Sequence, residues 1–185
     1  MTISRPFCAL ILALLCSGVF AAEPTVDSPL PTLNIMERGE LTMSGDEFTF
    51  TPWRSDANLG KVQVFQYFGA TMSDSKIFEP FTDLLQESLE PGTVHVTTVL
   101  NLDAAMWGTT GFVISELEKN KRQHPDATMV VDDKGTGLVE WDLGETGSGL
   151  IITDAKGVVK YFTRKSLSEE ELTAALELVR ANADS

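Results

Sequence analysis

Two apolar runs, Val62–Phe68 and Val94–Leu100, constrain the fold of this chain more than any other feature of its sequence. The first is rich in β-branched and aromatic residues and stops at Gly69, and the second ends in consecutive apolar residues. Such runs are typical of buried central strands. Between them, apolar residues at helical spacing predict a helix from Ser75 to about Leu89, with Pro80 in its second turn. The chain therefore contains a strand-helix-strand unit built on a central sheet.

The residues before and after this unit predict further strands in pairs. Glu40–Trp53 alternates apolar and polar residues around Ser44-Gly45-Asp46, which predicts an N-terminal β-hairpin. Two turns of the form Asp-x-Lys-Gly, Asp132–Gly135 and Asp154–Gly157, predict two more hairpins. Their strands would be Thr128–Val131 with Leu138–Trp141, and Leu150–Thr153 with Val158–Phe162.

Two more helices complete the predicted order of elements. One follows the loop Asn101–Gly111, runs through Phe112, Ile114, Leu117 and Lys121, and ends before Pro125. The last begins at Ser168, which forms a capping box with Glu171. The order hairpin, β, α, β, α, β, β, β, β, α predicts a single-domain α/β sandwich with helices on both faces of the sheet.

The first 21 residues have the pattern of a secretory signal peptide. Arg5 precedes the apolar run Phe7–Leu15, and Ala21 ends a small-residue cleavage site. The run is shorter than the roughly 18 residues of a membrane span, and Leu15 before Cys16 disfavours a lipoprotein signal, so we expect no membrane anchor. We expect residues 22–36 to form an extended lead-in and residues 37–185 to form the domain.

Both cysteines, Cys8 and Cys16, lie inside the segment that export removes. The exported chain would then have no disulfide, no thiolate nucleophile and no cysteine-ligated metal. No other residue pattern indicates a cofactor or a metal site.

The charge of the chain excludes one class of partner. Asp and Glu number 27 against 14 Lys and Arg, a net charge of −13. Nucleic acids and anionic membranes both require a basic face, so neither is expected to bind.

Polar residues at strand ends are the candidate ligand contacts. Four polar residues lie at the start of the predicted helix, namely Thr71, Ser73, Asp74 and Ser75. They could bind an anion or supply a nucleophile, or Ser73 or Ser75 could merely cap the helix. Asn101, Asp103 and Trp107 lie after the second central strand, the edge of an α/β sheet where ligands bind; Trp107 could instead close the core.

Three other candidates have less support from the sequence. His95 and His124 have no carboxylate at a useful spacing, and we expect both to be half-buried or exposed. The segment Gly144–Gly149, which includes Ser148, looks like a phosphate loop but precedes a strand and lacks the lysine of such loops. We interpret it as a turn.

The segment Phe65–Phe81 resembles the first strand and catalytic helix of the thioredoxin superfamily. The resemblance depends on a strand, a short loop, Lys76 and a proline four residues later. It places Met72 and Ser75 at the positions of the two redox cysteines, and no proline stands near Gly147-Ser148-Gly149, where the family has its cis-proline.

Over about Leu30 to Val179 the chain resembles the YtfJ family of periplasmic proteins. The resemblance is carried by Arg38–Leu41, Thr97–Ala105, Gly108–Val113, Ser115–Lys121 and Val131–Gly135. It implies a thioredoxin-like fold and the periplasm of a Gram-negative bacterium, but no reaction. Some members carry the label of transcriptional regulator, which the charge of this chain makes physically implausible.

The sequence leaves three functional hypotheses. The first is a non-catalytic binding or adaptor protein that holds a protein, peptide or small ligand between the Met72, Asp103 and Gly147 loops. Its candidate binding residues are Met72, Ser73, Asp74, Ser75, Asn101, Asp103, Trp107 and Ser148. The second is an enzyme that uses Ser73, Asp74 or Ser75 with His95, and the third is the regulator.

Export should remove every thiol from the chain. We expect the secreted form to begin at Ala22 in N-terminal sequencing and to react with no maleimide after denaturation. A secreted form that begins upstream of Cys16 would contradict this prediction.

Overall fold

A computed structural model describes residues 21–183, so the predicted signal peptide and both cysteines lie outside the described residues. The strands are β1 (Asn34–Ser44), β2 (Glu47–Arg54), β3 (Val62–Gly69), β4 (Val94–Asn101), β5 (Thr128–Asp132), β6 (Gly149–Thr153) and β7 (Val159–Thr163). The helices are α1 (Glu79–Ser88), α2 (Thr110–Gln123), the short α3 (Thr136–Glu140) and α4 (Glu169–Ala183). None of the helices within residues 21–183 is long and apolar enough to cross a membrane.

The strands form one mixed sheet in the order β2-β1-β5-β4-β3-β6-β7. The three central strands β3, β4 and β5 are parallel, and the outer strands pair antiparallel. Every residue of β3 is buried, as its apolar run predicts. The predicted α/β sandwich is therefore confirmed, with an N-terminal hairpin, β1–β2, at one edge.

The two faces of the sheet are covered differently. On one face α1 and α4 pack over Val62, Val64 and Phe68 of β3, while Leu117 of α2 packs near the β1–β5 end. On the other face Phe65 and Tyr67 contact the rings of Trp53 and Trp141 edge to face. The short helix α3 lies on this second face, so helices are present on both sides.

The predicted lead-in is part of the domain. Leu33 and Ile35 are buried in the core beside Trp53, and the Trp141 indole donates a hydrogen bond to the carbonyl of Pro31 at 2.8 Å. Residues 22–36 reach these positions because the second face has only one short helix to cover it. Strand β1 begins at Asn34, so the sheet includes the last residues of the predicted lead-in.

The prediction of a hairpin at the first Asp-x-Lys-Gly turn, Asp132–Gly135, is wrong. The carboxylate of Asp132 accepts hydrogen bonds from the backbone N–H groups of Thr136 (2.9 Å) and Gly137 (2.8 Å), and Leu138–Glu140 continue as helix α3 rather than as a strand. The absence of a side chain at Gly137 allows this, since a Cβ there would overlap the ring of Tyr67. The second hairpin, β6–β7, is confirmed, as is the Ser168–Glu171 capping box.

The helix predicted from Ser75 to about Leu89 begins later than its periodicity indicates. Asp74–Lys76 form one turn of 3-10 helix, and α1 starts at Glu79 with Pro80 in its first turn. Proline is tolerated there because the first N–H groups of a helix have no partner within the helix.

The buried pair of Tyr67 and Asp132 joins the centre of the sheet to α3. The Tyr67 hydroxyl donates to the Asp132 carboxylate at 2.9 Å. Replacement Tyr67→Phe keeps the ring and removes this bond, and we expect it to lower the free energy of unfolding by about 2 kcal/mol in urea titrations. Tyr161→Phe on the edge strand β7 is the control, and equal losses in the two variants would contradict the prediction.

The same pair makes stability depend on alkaline pH. Burial, with the charge of Asp132 beside it, raises the pKa of Tyr67 above its ordinary value. Its contribution to stability is therefore complete below the unfolded-state pKa of about 10 and falls above it, by about 1.4 kcal/mol per pH unit. The Tyr67→Phe variant should lose this part of the pH dependence.

Candidate functional site

An open groove with a volume of about 1610 Å³ lies between helices α1 and α2. We call it the α1–α2 groove. Strand β4 forms its floor with Val94, Val96, Thr98 and Leu100. Helix α1 packs against α4, and Val94 and Val96 of β4 are only partly buried beside the core that these two helices form.

The floor of the groove is apolar but not fully buried. Val94, Val96 and Thr98 are half-buried, whereas Thr97 and Val99, which alternate with them, are buried against the other face. The sequence predicts a buried strand here, whereas Val94, Val96 and Thr98 on the groove side are only partly buried. Partly exposed valines are unusual on a central parallel strand, because such strands are normally covered on both faces.

Exposed apolar side chains stand at one end of the groove. Met72, Met106 and Phe112 line it, with exposed fractions of 84%, 74% and 66%. Trp107, next to Met106, is completely exposed, so it does not close the core. Trp53 and Trp141, by contrast, are buried as predicted.

The rim of the groove is acidic. Glu79 and Asp83 lie on the α1 side, and Glu116 and Asp126 lie on the α2 side, against the single cation Lys61. Of these four carboxylates, only Glu116 forms an ion pair within the described residues, and its partner is Lys119 at 3.4 Å.

The polar residues of the Met72 loop bond chiefly to one another. Thr71 and Ser73 hydroxyls lie 3.0 Å apart, and the Thr71 hydroxyl accepts from the N–H of Asp74 at 3.1 Å. Ser75 donates to the carbonyl of Met72. The predicted capping by Ser73 or Ser75 is wrong, because Ser73 precedes the 3-10 turn without a side-chain capping bond and α1 begins only at Glu79.

Three candidate residues lie outside the groove. Asn101 is buried, and its side-chain oxygen accepts from the N–H of Asp103 at 3.0 Å. Ser148 is buried and donates to the carbonyl of Thr146. Asp103 is exposed but does not line the groove. Of the three loops predicted to form a groove, the Met72 loop lines the α1–α2 groove with Met72, Ser73 and Ser75, and the Asp103 loop lines it with Met106.

His95 lies far from the hydroxyls of the Met72 loop. It stands near the start of β4, opposite Gln63 in register, while Ser73 and Ser75 follow the other end of β3. Its ring nitrogen Nε2 is 2.9 Å from the Asn58 amide, and burial together with Lys61 lowers its pKa. The hydroxyl–histidine arrangement that the enzyme hypothesis requires is therefore not formed. His124 is exposed at the end of α2.

The loop Gly144–Gly149 is a turn that leads into β6, as its position in the sequence indicates. Gly147 donates its N–H to the carbonyl of Gly144, and no peptide bond within residues 21–183 is cis. The counterpart of the thioredoxin cis-proline loop is thus an all-trans glycine turn.

Comparison with known proteins gives the family. Residues 25–182 match the family model described as "Bacterial protein of unknown function (YtfJ_HI0045)". The chain belongs to the YtfJ family. A relative, "Uncharacterized protein YtfJ" of Escherichia coli K12, is 30% identical over 177 residues, which cover 95% of this chain and 96% of the relative.

Solved structures identify the fold of this YtfJ family member. A putative thiol:disulfide interchange protein DsbE from Chlorobium tepidum has a TM-score of 0.59 at 12% identity, covering 86% of this chain and 98% of that one. The thioredoxin domain of a thiol-disulfide oxidoreductase from Bacteroides vulgatus has a TM-score of 0.55 at 15% identity, covering 83% and 96%. The fold is thioredoxin-like, as the resemblance at Phe65–Phe81 implies.

Sequence reasoning missed most of the residues that form the groove. The residues that form the apolar floor and the acidic rim lie far apart along the chain and share no motif. Met106 and Phe112 carried one detectable signal, since large apolar residues beside a polar loop are unusual on a surface.

The geometry of the site can be tested by labelling. In a chain that begins at Ala22, we expect Met72→Cys to react with maleimide at least about tenfold faster than Ser148→Cys, because Ser148 is buried and must open first. Both variants should label fully after denaturation. Equal rates in the folded state would contradict the described positions of these two residues.

Proposed function

We propose that this protein is an exported, periplasmic binding or adaptor protein that holds a partner in the α1–α2 groove and catalyses no thiol–disulfide exchange. The observation that carries the proposal is the partly exposed apolar floor of the groove, with three exposed apolar side chains at its end. A monomer gains nothing from leaving such a surface in water, whereas a binding protein requires it.

The residues at the position of the thioredoxin redox centre support the non-catalytic part of the proposal. Met72 and Ser75 stand there, and Cys8 and Cys16 are the only cysteines of the whole sequence. A thioether and a hydroxyl cannot form or exchange a disulfide. His95, the histidine of the hydroxyl-based alternative, bonds to Asn58 at the other end of the strands.

Charge supports a protein or peptide partner over a nucleic acid. The net charge of −13 and the carboxylates of the rim both repel phosphate groups. The regulator hypothesis therefore has no favourable surface in the described residues.

Site-specific photo-crosslinking in a Gram-negative periplasm tests the proposal. A photoreactive residue at Met72 should give an adduct of discrete mass, and one at Asp103, outside the groove, should give less of it. Val139 is the control, because it is equally apolar, 64% exposed and located on α3 over the opposite face.

Two results would overturn the proposal. One is the absence of any adduct from Met72, or the same adducts from Val139. The other is reduction of a disulfide substrate by the secreted protein with dithiothreitol as electron donor, at a rate above that of dithiothreitol alone.

A further inference from the structure

We infer that the partner segment held in the α1–α2 groove is a cationic amphipathic helix. The inference deepens the proposed function and rests on it. It follows from three properties of the groove, namely its size, its apolar floor and the charge of its rim.

The size of the groove favours a peptide segment over a small molecule as its occupant. Ligand pockets have volumes of about 300–1,000 Å³, and this groove has about 1610 Å³. A helix of three turns, about 15 Å long and 10 Å wide, occupies roughly 1,200 Å³. The flanking helix α1 has 10 residues, so the groove matches a helix of similar length.

The lining of the groove matches the apolar side of such a helix. Val94, Val96 and Leu100 form a continuous floor, and Phe68 and Met129 extend it to both sides. Met72 and Met106 stand at one end, and methionine side chains adapt to differently shaped apolar partners. An amphipathic helix places apolar residues three and four positions apart into a groove of this kind.

The rim selects the charge of the partner. Carboxylates stand on both sides of the groove, Glu79 and Asp83 on α1 and Glu116 and Asp126 on the opposite side. Lysine or arginine residues on the flanks of a bound helix would face them. Complementary charges of this kind speed association and reject partners of the wrong sign.

The same charges disfavour the other possible occupants. A second copy of this chain has a net charge of −13 and carries its own exposed methionines inside the same acidic groove. Fatty acids and anionic lipids would bring a further negative charge to the rim. A basic helix is the occupant that covers the apolar floor and carries charges opposite to those of the rim.

Fluorescence anisotropy with labelled peptides tests the inference on the chain that begins at Ala22. The probe is an amphipathic helix of leucine and lysine of about 14 residues. The comparison peptides are the leucine–glutamate counterpart and a scrambled leucine–lysine peptide without an apolar face. We expect the probe to bind more tightly than either and to bind less tightly as salt is raised.

Matched variants locate the binding. The variant E79Q/D83N/E116Q/D126N should bind the probe at least about tenfold more weakly. The control D46N/E47Q/E145Q/E169Q changes the net charge equally at exposed positions outside the groove and should leave binding unchanged. Phe112→Ser should also weaken binding, whereas Val139→Ser should not.

Several results would overturn the inference. They are tighter binding of the leucine–glutamate peptide, equal losses in the two charge variants, or a dimer in sedimentation that Phe112→Ser abolishes, which would assign the groove to a second copy. If Met72 crosslinks a partner while the leucine–lysine peptide does not bind, the inference fails and the proposed function stands. If Met72 gives no adduct, the proposed function fails first.

Discussion

The burial of strand β3 on both faces is the constraint on which the rest of the structure depends. All eight of its residues are buried, so the sheet must be covered on both sides along this line. On one side α1 and α4 do this together, and on the other the Trp53 and Trp141 rings and the lead-in do it. The α1–α2 groove lies beside this line, where Val94 and Val96 of β4 are only partly buried.

The Tyr67–Asp132 pair shows how the second face is closed with little secondary structure. Asp132 ends β5 and accepts bonds from Tyr67 and from the start of α3, so one carboxylate joins two strands and a helix. A buried carboxylate with this many donors is well satisfied. The Asp132 carboxylate therefore has a structural role on this face of the sheet, whereas the α1–α2 groove lies on the opposite face.

The resemblance to thioredoxins places Met72 at the position of the first redox cysteine, and Met72 is 84% exposed. An exposed methionine contributes apolar contact area where a thiolate would contribute reactivity. Met72 lines the same groove as the apolar residues of β4, so it extends the apolar lining of that groove towards the loop.

Most of the strands and helices could be predicted from local sequence, since periodicity and capping act over a few residues. The β1–β2 hairpin, the strands β3 and β4, helix α2 and the capping box of α4 are examples. The candidate site could be predicted only in part, at Met72, Ser73 and Ser75. Its floor and rim come from elements whose spacing is set by packing.

The two Asp-x-Lys-Gly turns separate what the sequence by itself determined from what only the tertiary structure decided. In both turns the aspartate oxygen Oδ1 accepts the N–H groups two and four residues later, Lys134 and Thr136 in one, Lys156 and Val158 in the other. The local sequence determined these turns and also placed both cysteines in the N-terminal segment. The tertiary structure decided that the first turn continues as a helix under Tyr67 and the second as strand β7. The tertiary structure also decided how far apart α1 and α2 lie, because the distance between two helices depends on the residues packed around them.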